Sequence, residues 1–408
     1  MTKPTEQSQV EQANLRETRS QNLAIVDLQI PLRRPPIRTG QSVGRIGHHT
    51  ITASTPNHRT RPFRTPASGM FGRIEIVIVA TKHQAKNVAI NLDPELIQGI
   101  LRQRFSQVDI TTITHRKDLE ALAKRQPDLV FSGVKYFHFN GEVLWLNEFL
   151  DQHQIPYIGS SKQALDREYD KTIAKELIHR AGLKTAAYAM VRPGDKTLCL
   201  TADMHFPVFI KPADCGDSIG IDAASLAHNT DDMNKKIRQL FDQLGANVLV
   251  EQYLPGKEYS IGVIEDDFTK TLSAMPIEIR TDANQHGYRI LDFQTKQNDA
   301  EEVLPVTMGP IHHQLSDLGK AVFRVLGGRS FGRIDVRMCA SGIPHFMEAN
   351  LMPGLKKGYF YRCCSLNLGL SYEQMIIGLA ENRIRVSVAP NGLPRSDQTH
   401  TADGLLTL

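Results

Sequence analysis

The stretch Phe331–Lys357, reading FGRIDVRMCASGIPHFMEANLMPGLKK, constrains the chain most. Its spacing predicts a strand over Gly332–Met338, a turn at Ala340–Gly342 and a second strand over Pro344–Asn350. Side chains two apart on a strand share a face, so Arg333 goes with Asp335, and Glu348 with Asn350. Paired as a hairpin, the strands present a guanidinium, two carboxylates and an amide oxygen on one face. A hard cation such as Mg²⁺ takes oxygen ligands of this type, with substrate phosphates completing its shell. The Pro353-Gly354 turn then ends the second strand beside the cluster. An exposed hairpin carrying a surface salt-bridge ladder is the alternative; a metal-and-phosphate site is the preferred reading.

A chain of 408 residues has room for two or three domains. With 41% hydrophobic and 23% charged residues it has an ordinary globular composition. No apolar run approaches the roughly 20 residues that a membrane span needs. No charged-then-apolar secretory layout opens it either, so no membrane association is expected. The cysteines (Cys199, Cys215, Cys339, Cys363 and Cys364) fit neither a disulfide framework nor a zinc pattern. A reducing cytoplasm is the expected compartment. Residues 1–70 hold Lys3 and nine Arg against Glu6, Glu11, Glu17 and Asp27, so the basic balance belongs to this segment.

Residues 1–70 show no sustained period and are broken by Pro31, Pro35, Pro36, Pro56, Pro62 and Pro66. They are expected to be a disordered basic tail without a specific nucleic-acid role, because no aromatics interleave the arginines. From 71 to 163 the pattern is α/β: strands at Ile74–Ala80, Val108–Ile113, Leu129–Phe131 and Ile155–Ile158, helices at Pro94–Phe105, Lys117–Arg125 and Glu142–His153. Such alternation implies a parallel sheet with helices on both faces. A second unit, 164–255, has helices at Asp170–Arg180 and Asp231–Leu244 and strands at Phe206–Lys211 and Val248–Tyr253. A third, 256–384, has strands at Glu258–Glu265 and Thr271–Ile279, a polar loop Arg280–Glu302, a helix at Ile311–Leu326, the hairpin, and a helix at Ser371–Asn382. Residues 385–408 are expected to be a loose tail.

Two further segments carry chemistry. The loop Asp214–Gly220 follows the strand ending at Lys211-Pro212, and its glycines allow backbone amides to approach phosphate oxygens. Lys211 adds a point charge there. The segment Val248–Leu254, followed by the Pro255-Gly256 turn and Glu258, has the character of a linker between two sheets lying over a nucleotide. Glu251 is placed to accept from an adenine amino group and Glu258 from ribose hydroxyls. Cys215 has no histidine nearby in sequence and is not expected to act as a nucleophile.

These segments resemble the ATP-grasp superfamily, and within it the D-alanine–D-alanine ligase group. The resemblance runs from about Ile74 to Asn382 and rests on IPYIGSS (155–161), DKTIAKELIHRAGL (170–183), FPVFIKPADCGDSIG (206–220), VLVEQYLPGKEYSIGV (248–263) and the hairpin stretch. It implies an α/β chain of three units, with ATP held between the two C-terminal α+β units. Carried over by position, Lys171 and Lys211 would contact ATP, with Asp217 and Ser218 in the loop covering the phosphates. Glu251, Gln252, Tyr253 and Leu254 would surround adenine, and Glu258 the ribose. Lys296 would reach the γ-phosphate. Asp335, Glu348 and Asn350 would hold two Mg²⁺ ions, or Mn²⁺ in their place, with Glu348 bridging them. Arg333 would stabilise the oxyanion, giving a catalytic set of Arg333, Lys296 and Ser218.

The chain departs from that group where substrates bind. Those ligases carry an acid in an amino-terminal Gly-Gly-x-Ser-x-Glu segment, whereas this chain reads Thr81-Lys-His-Gln-Ala-Lys-Asn87. Asp217 stands in place of a serine and Gln297 in place of a tyrosine. After Pro353-Gly354 the small hydroxyl residues give way to Leu355-Lys-Lys-Gly-Tyr-Phe-Tyr361. Asp217, Gln297, Gly354, Lys356, Lys357 and Tyr359 are therefore the expected substrate residues. The resemblance implies an ATP-dependent carboxylate–amine ligase acting on amino acids or short peptides through an acylphosphate, with a substrate pair of its own. The alternatives are a D-alanine–D-alanine ligase proper, an ATP-grasp phosphotransferase and a silent nucleotide-binding scaffold. A homodimer is expected by analogy.

Overall fold

Four hydrophobic residues in a row, Ile76–Val79, are fully buried in β1 (Glu75–Ala80). A strand covered on both faces suits the centre of a parallel sheet. β1 indeed lies between β2 (Gln107–Thr112) and β3 (Leu129–Ser132), parallel to both. The computed structural model describes residues 75–80, 92–132, 134–195, 200–214, 218–284, 287–291, 295, 298 and 300–388. The expected tail at 1–70, the segment Thr81–Asn87, and Cys199, Cys215, Asp217, Lys296 and Gln297 lie outside them.

Helix α1 (Pro94–Leu101) starts where the Asp93 carboxylate accepts from the Leu96 amide at 3.0 Å. It stops before the expected Phe105, which is buried beyond a turn. Helix α2 (Arg116–Arg125) lies between β2 and β3 in the chain. The predicted helix over Glu142–His153 is corrected: its first four residues form a hairpin of β4 (Tyr136–Phe139) with β5 (Glu142–Trp145), and only α3 (Leu146–Gln152) is helical. The reason is the turn. Asn140 and Gly141 both have positive φ, 52° and 85°, the Asn-Gly geometry that closes a two-residue hairpin. The expected strand Ile155–Ile158 is reduced to a single parallel bridge between Tyr157 and Val130.

Asp170 separates α4 (Lys162–Tyr169), which the periodicity did not predict, from α5 (Lys171–Arg180). Its carboxylate accepts from the Thr172 amide at 2.8 Å and so starts α5. An antiparallel sheet follows, in the order β6 (Tyr188–Val191), β9 (Val248–Gln252), β7 (Val208–Pro212), β8 (Leu226–Ala227). Helix α6 (Thr230–Leu244) is capped by Asn229 and by Gly245 at φ 57°. It covers the sheet with Met233, Ile237 and Leu240 against Val208, Ile210, Val248 and Val250.

The last sheet has five antiparallel strands, in the order β12 (Glu302–Pro305), β11 (Leu272–Arg280), β10 (Glu258–Glu265), β13 (Phe331–Met338), β14 (Pro344–Asn350). Helix α7 (Pro310–Val325) packs on it, and Gly319 there leaves room for Ile261. Helix α8 (Tyr359–Leu368) was not predicted, although Phe360, Cys363 and Cys364 mark its buried face. A Cβ on Gly262 would lie 2.7 Å from that of Cys363, so α8 rests directly on β10. Helix α9 (Tyr372–Val388) runs beyond Asn382, so residues 385–388 of the expected loose tail are helical; 389–408 lie outside the described residues. Met375, Ile376 and Leu379 of α9 share one core with Ile76 and Phe131 of the first sheet, Ile97 of α1, and Ile264 and Ile277 of the last sheet.

Candidate active site

The hairpin pairs Arg333 with Asn350 and Asp335 with Glu348, and a bulge after Asp335 shifts the register. Arg333 donates twice to its neighbour, Nε to Asp335 Oδ1 at 3.0 Å and Nη2 to Oδ2 at 2.9 Å. Ser260, opposite on β10, donates its hydroxyl to the same Oδ1 at 2.6 Å. Burial opposes the guanidinium charge, but Asp335 and then Glu348 outweigh it and hold Arg333 above its ordinary range. Asn350 Oδ1 accepts from the Met352 amide at 3.3 Å. Among the described residues no three His, Cys, Asp or Glu come together as a metal cluster. The expected set of Asp335, Glu348 and Asn350 is two carboxylates and one amide, which leaves places for phosphate oxygens.

A second group of charges is buried on the preceding sheet. Lys211 Nζ on β7 lies 2.6 Å from Glu251 Oε1 on β9, and Lys175 Nζ on α5 lies 3.0 Å from Oε2. Burial favours a neutral Glu251, but Lys175 and Lys211 reverse this and hold its carboxyl down to about 2. Burial pushes Lys175 down despite Glu251. In Lys211, Glu251 and then Glu348 overcome burial and push the value up. Glu348 thus acts electrostatically on Lys211, Lys175 and Arg333, which ties the two groups into one field. Each oxygen of Glu251 thus faces a lysine, although the Lys175 contact to Oε2 falls outside hydrogen-bond geometry. Lys175 also donates to Thr185 Oγ1 at 2.8 Å, and that hydroxyl donates to the Phe346 carbonyl of β14 at 3.0 Å. Lys175 was missed in the sequence; its signal is the four-residue spacing from Lys171, which puts it on the buried face of α5.

The linker between the two sheets keeps Tyr253 and Leu254 buried. Gln252 is used structurally, its Oε1 accepting from the His205 amide at 2.8 Å. Glu258 accepts from Arg337 Nη1 at 3.1 Å across β10 and β13. Arg337 Nη2 also donates to the Tyr253 hydroxyl at 2.9 Å and the Arg289 carbonyl at 2.8 Å. Arg337 was likewise missed, although it stands two residues beyond Asp335, as Arg333 stands two before it. Glu258, Ile279, Thr281, Arg289 and Arg337 line a pocket of about 110 Å³.

Lys171 is buried at the start of α5, its amide bonded to the Ala213 carbonyl at 3.2 Å, which holds that helix end against the end of β7. Ser218, a few residues beyond β7, has φ 57°, a left-handed conformation costly for a side chain. Gly220 is required there, since a Cβ would lie 2.9 Å from Leu240. At the opposite end, Lys356 and Lys357 beyond Gly354 are exposed, and Lys357 lies over the Tyr372 ring at 5.6 Å. Tyr359 is turned inward. Its hydroxyl donates to Glu301 Oε1, its ring lies 5.6 Å from the Arg333 guanidinium, and burial and then Glu301 push its phenol well above the usual range. Cys363 is pushed up to about 12, chiefly by burial, and remains a thiol.

Two antiparallel sheets with acids and lysines facing a shared site, preceded by a small parallel sheet, define the ATP-grasp fold of ATP-dependent ligases. The solved D-alanine–D-alanine ligase of Bacillus anthracis complexed with ATP shares it, with a TM-score of 0.57 at 17% identity over 77% of this chain and 98% of that one. So does the VanG D-Ala:D-Ser ligase of Enterococcus faecalis, with a TM-score of 0.55 at 19% identity over 76% and 100%. Residues 177–381 match the family model for the D-ala D-ala ligase C-terminus, and the chain belongs to that family. It is 29% identical to the D-alanine–D-alanine ligase of Streptococcus pyogenes over 311 residues, 71% of this chain and 86% of that protein. It is also 27% identical to the uncharacterized protein y4sG of Sinorhizobium fredii over 236 residues, 57% of this chain and 67% of the relative.

Proposed function

We propose that the protein joins a carboxylate to an amine at the expense of ATP, through an acylphosphate, using a substrate pair other than two D-alanines. The observation that carries this reading is the single field formed by Arg333, Asp335 and Glu348 on one sheet with Lys211, Lys175 and Glu251 on the other. Buried acids and lysines in that arrangement suit a polyphosphate with its cation. Glu251 Oε2, whose contact with Lys175 falls outside hydrogen-bond geometry, suits an exocyclic amine of a purine. The division into units at 164 and 256, the cytoplasmic setting and the homodimer belong to the same proposal.

Asp335, Glu348 and Asn350 offer only oxygen donors, and a carboxylate has more lone-pair sites than Arg333 and Ser260 use on Asp335, so the residues fit Mg²⁺. Mg²⁺ bound by them would neutralise charge on the phosphate oxygens. Lys211 and Lys171 hold the phosphates, and the turn at Ser218 covers them. Glu251 and the Leu254 backbone orient the base, while Arg337 orients Glu258 toward the ribose. The substrate carboxylate attacks the γ-phosphate, ADP departs, and the amine displaces phosphate from the acyl carbon. Arg333, kept cationic by Asp335, stabilises the oxyanion of that second step. Tyr359, whose bulk replaces a small hydroxyl residue, narrows the acceptor end and supports a different pair.

The test is an ADP-release screen with MgATP and amino acids offered singly and in pairs, with mass detection of products. Release dependent on a pair, with a condensed product, is expected. Efficient D-alanyl-D-alanine formation would contradict the substrate reading, and ADP release with a phosphorylated product and no amide would identify a phosphotransferase instead.

A further inference from the structure

Glu301 immediately precedes β12 and is only 7% exposed. One oxygen, Oε1, accepts from the Tyr359 hydroxyl, and the other, Oε2, is buried without any hydrogen-bond partner. A buried carboxylate half-satisfied in this way is costly unless something else completes it. Its surroundings show where that partner belongs. Tyr359 lies against the Arg333 guanidinium, and Arg333 is bonded to Asp335, so Glu301 stands one tyrosine away from the reacting cluster. A substrate carboxylate placed against Glu301 would meet like charge. A cationic donor would supply both the missing hydrogen bond and the missing charge.

Resting on the ligase reading above, we propose that Glu301 receives the ammonium group of the amine substrate. Oε2 accepts a hydrogen bond from the ammonium and then takes one of its protons, which frees the nitrogen lone pair, and Tyr359, by holding Oε1, fixes the carboxylate so that the neutral amine is presented toward the carbon whose oxyanion Arg333 stabilises. Tyr359 is the positioning residue of the pair and Glu301 the substrate-binding one.

Hydroxylamine provides the discriminating probe, because it is an uncharged nucleophile at neutral pH and traps an acylphosphate as a hydroxamate. The full-length protein with MgATP is first given each common amino acid and D-alanine as carboxylate, with hydroxylamine as amine. A carboxylate that yields hydroxamate is then paired with the same amino acids as amines. The readout is the ratio of kcat/KM for the best ammonium-bearing amine to kcat/KM for hydroxylamine. Glu301→Gln is expected to lower that ratio at least tenfold, Tyr359→Phe to lower it less, and Glu301→Asp, which keeps the charge, to retain most of it. A ratio within twofold of wild type in Glu301→Gln would overturn the inference, even where both rates fall, because a structural role lowers both alike. If Glu301→Gln does not fold, a wild-type ratio in Tyr359→Phe overturns it. Absence of ADP release and hydroxamate with every carboxylate in the wild type would overturn the ligase reading itself, and this inference with it.

Discussion

Glu251 lies between Lys211 at 2.6 Å and Lys175 at 3.0 Å, and the stability of the middle sheet depends on all three. Breaking a buried ion pair from one side leaves uncompensated charge, at a cost of about 3 to 5 kcal/mol. Glu251→Gln strands two buried lysines and should lower the free energy of unfolding by that amount in urea; an unchanged midpoint would contradict the assignment. The pH dependence has a definite sign. Because the folded value, about 2, lies below the ordinary 4.5, the contribution is fully present above about 4.5 and is lost as pH falls through about 2. Urea midpoints measured across that window should fall more steeply for wild type than for Glu251→Gln. Part of this arrangement was legible in the sequence, which singled out Lys211, Glu251, Arg333, Asp335 and Glu348, and the structure gathers them into two neighbouring groups. Lys175, Arg337 and Glu301 were not, because their partners Thr185, Glu258 and Tyr359 come from other elements, and no spacing along the chain brings those pairs together.

At the scale of elements, strands and helices with clear boundaries were readable and short apolar runs were not. The strands Glu258–Glu265 and Pro344–Asn350 coincide with their predicted bounds, because a turn brackets each. Glu142–Trp145 was misread because Val143, Leu144, Leu146 and Leu150 also fit a helical period, and the Asn140-Gly141 turn decides the matter. Helix α8 was missed because the residues after Pro353-Gly354 show their apolar face only at Phe360, Cys363 and Cys364. Its seat on Gly262 allows a test. Gly262→Ala puts a Cβ 2.7 Å from that of Cys363, and α8 must move to relieve it. Overpacking of this kind costs about 1 to 3 kcal/mol. The expected result is that loss by urea unfolding, together with reduced turnover, since Tyr359 starts the displaced helix. Full stability would show that α8 does not rest on β10 as described.

Across the whole molecule, α9 joins the first parallel sheet to the last antiparallel one in a single core, so the two should unfold together. Ile376→Ala, at a fully buried position, should cost about 2 to 5 kcal/mol and shift one cooperative transition. Separate transitions for the two sheets would contradict that coupling. The fold and the family were legible because phosphate and metal chemistry fixes residue types at fixed places on strands. The identity of the substrates was not, because the side chains proposed here to meet them, Glu301 before β12 and Tyr359 at the start of α8, come together only after folding. In the proposed reaction a carboxylate is activated by phosphorylation before an amine attacks it. Isotope transfer tests it directly: the carboxylate substrate found in the ADP screen is labelled with ¹⁸O in both oxygens, and the released phosphate is analysed by mass. One labelled oxygen is expected in the phosphate and the other in the amide; phosphate free of label would show that water, and not the carboxylate, had attacked ATP.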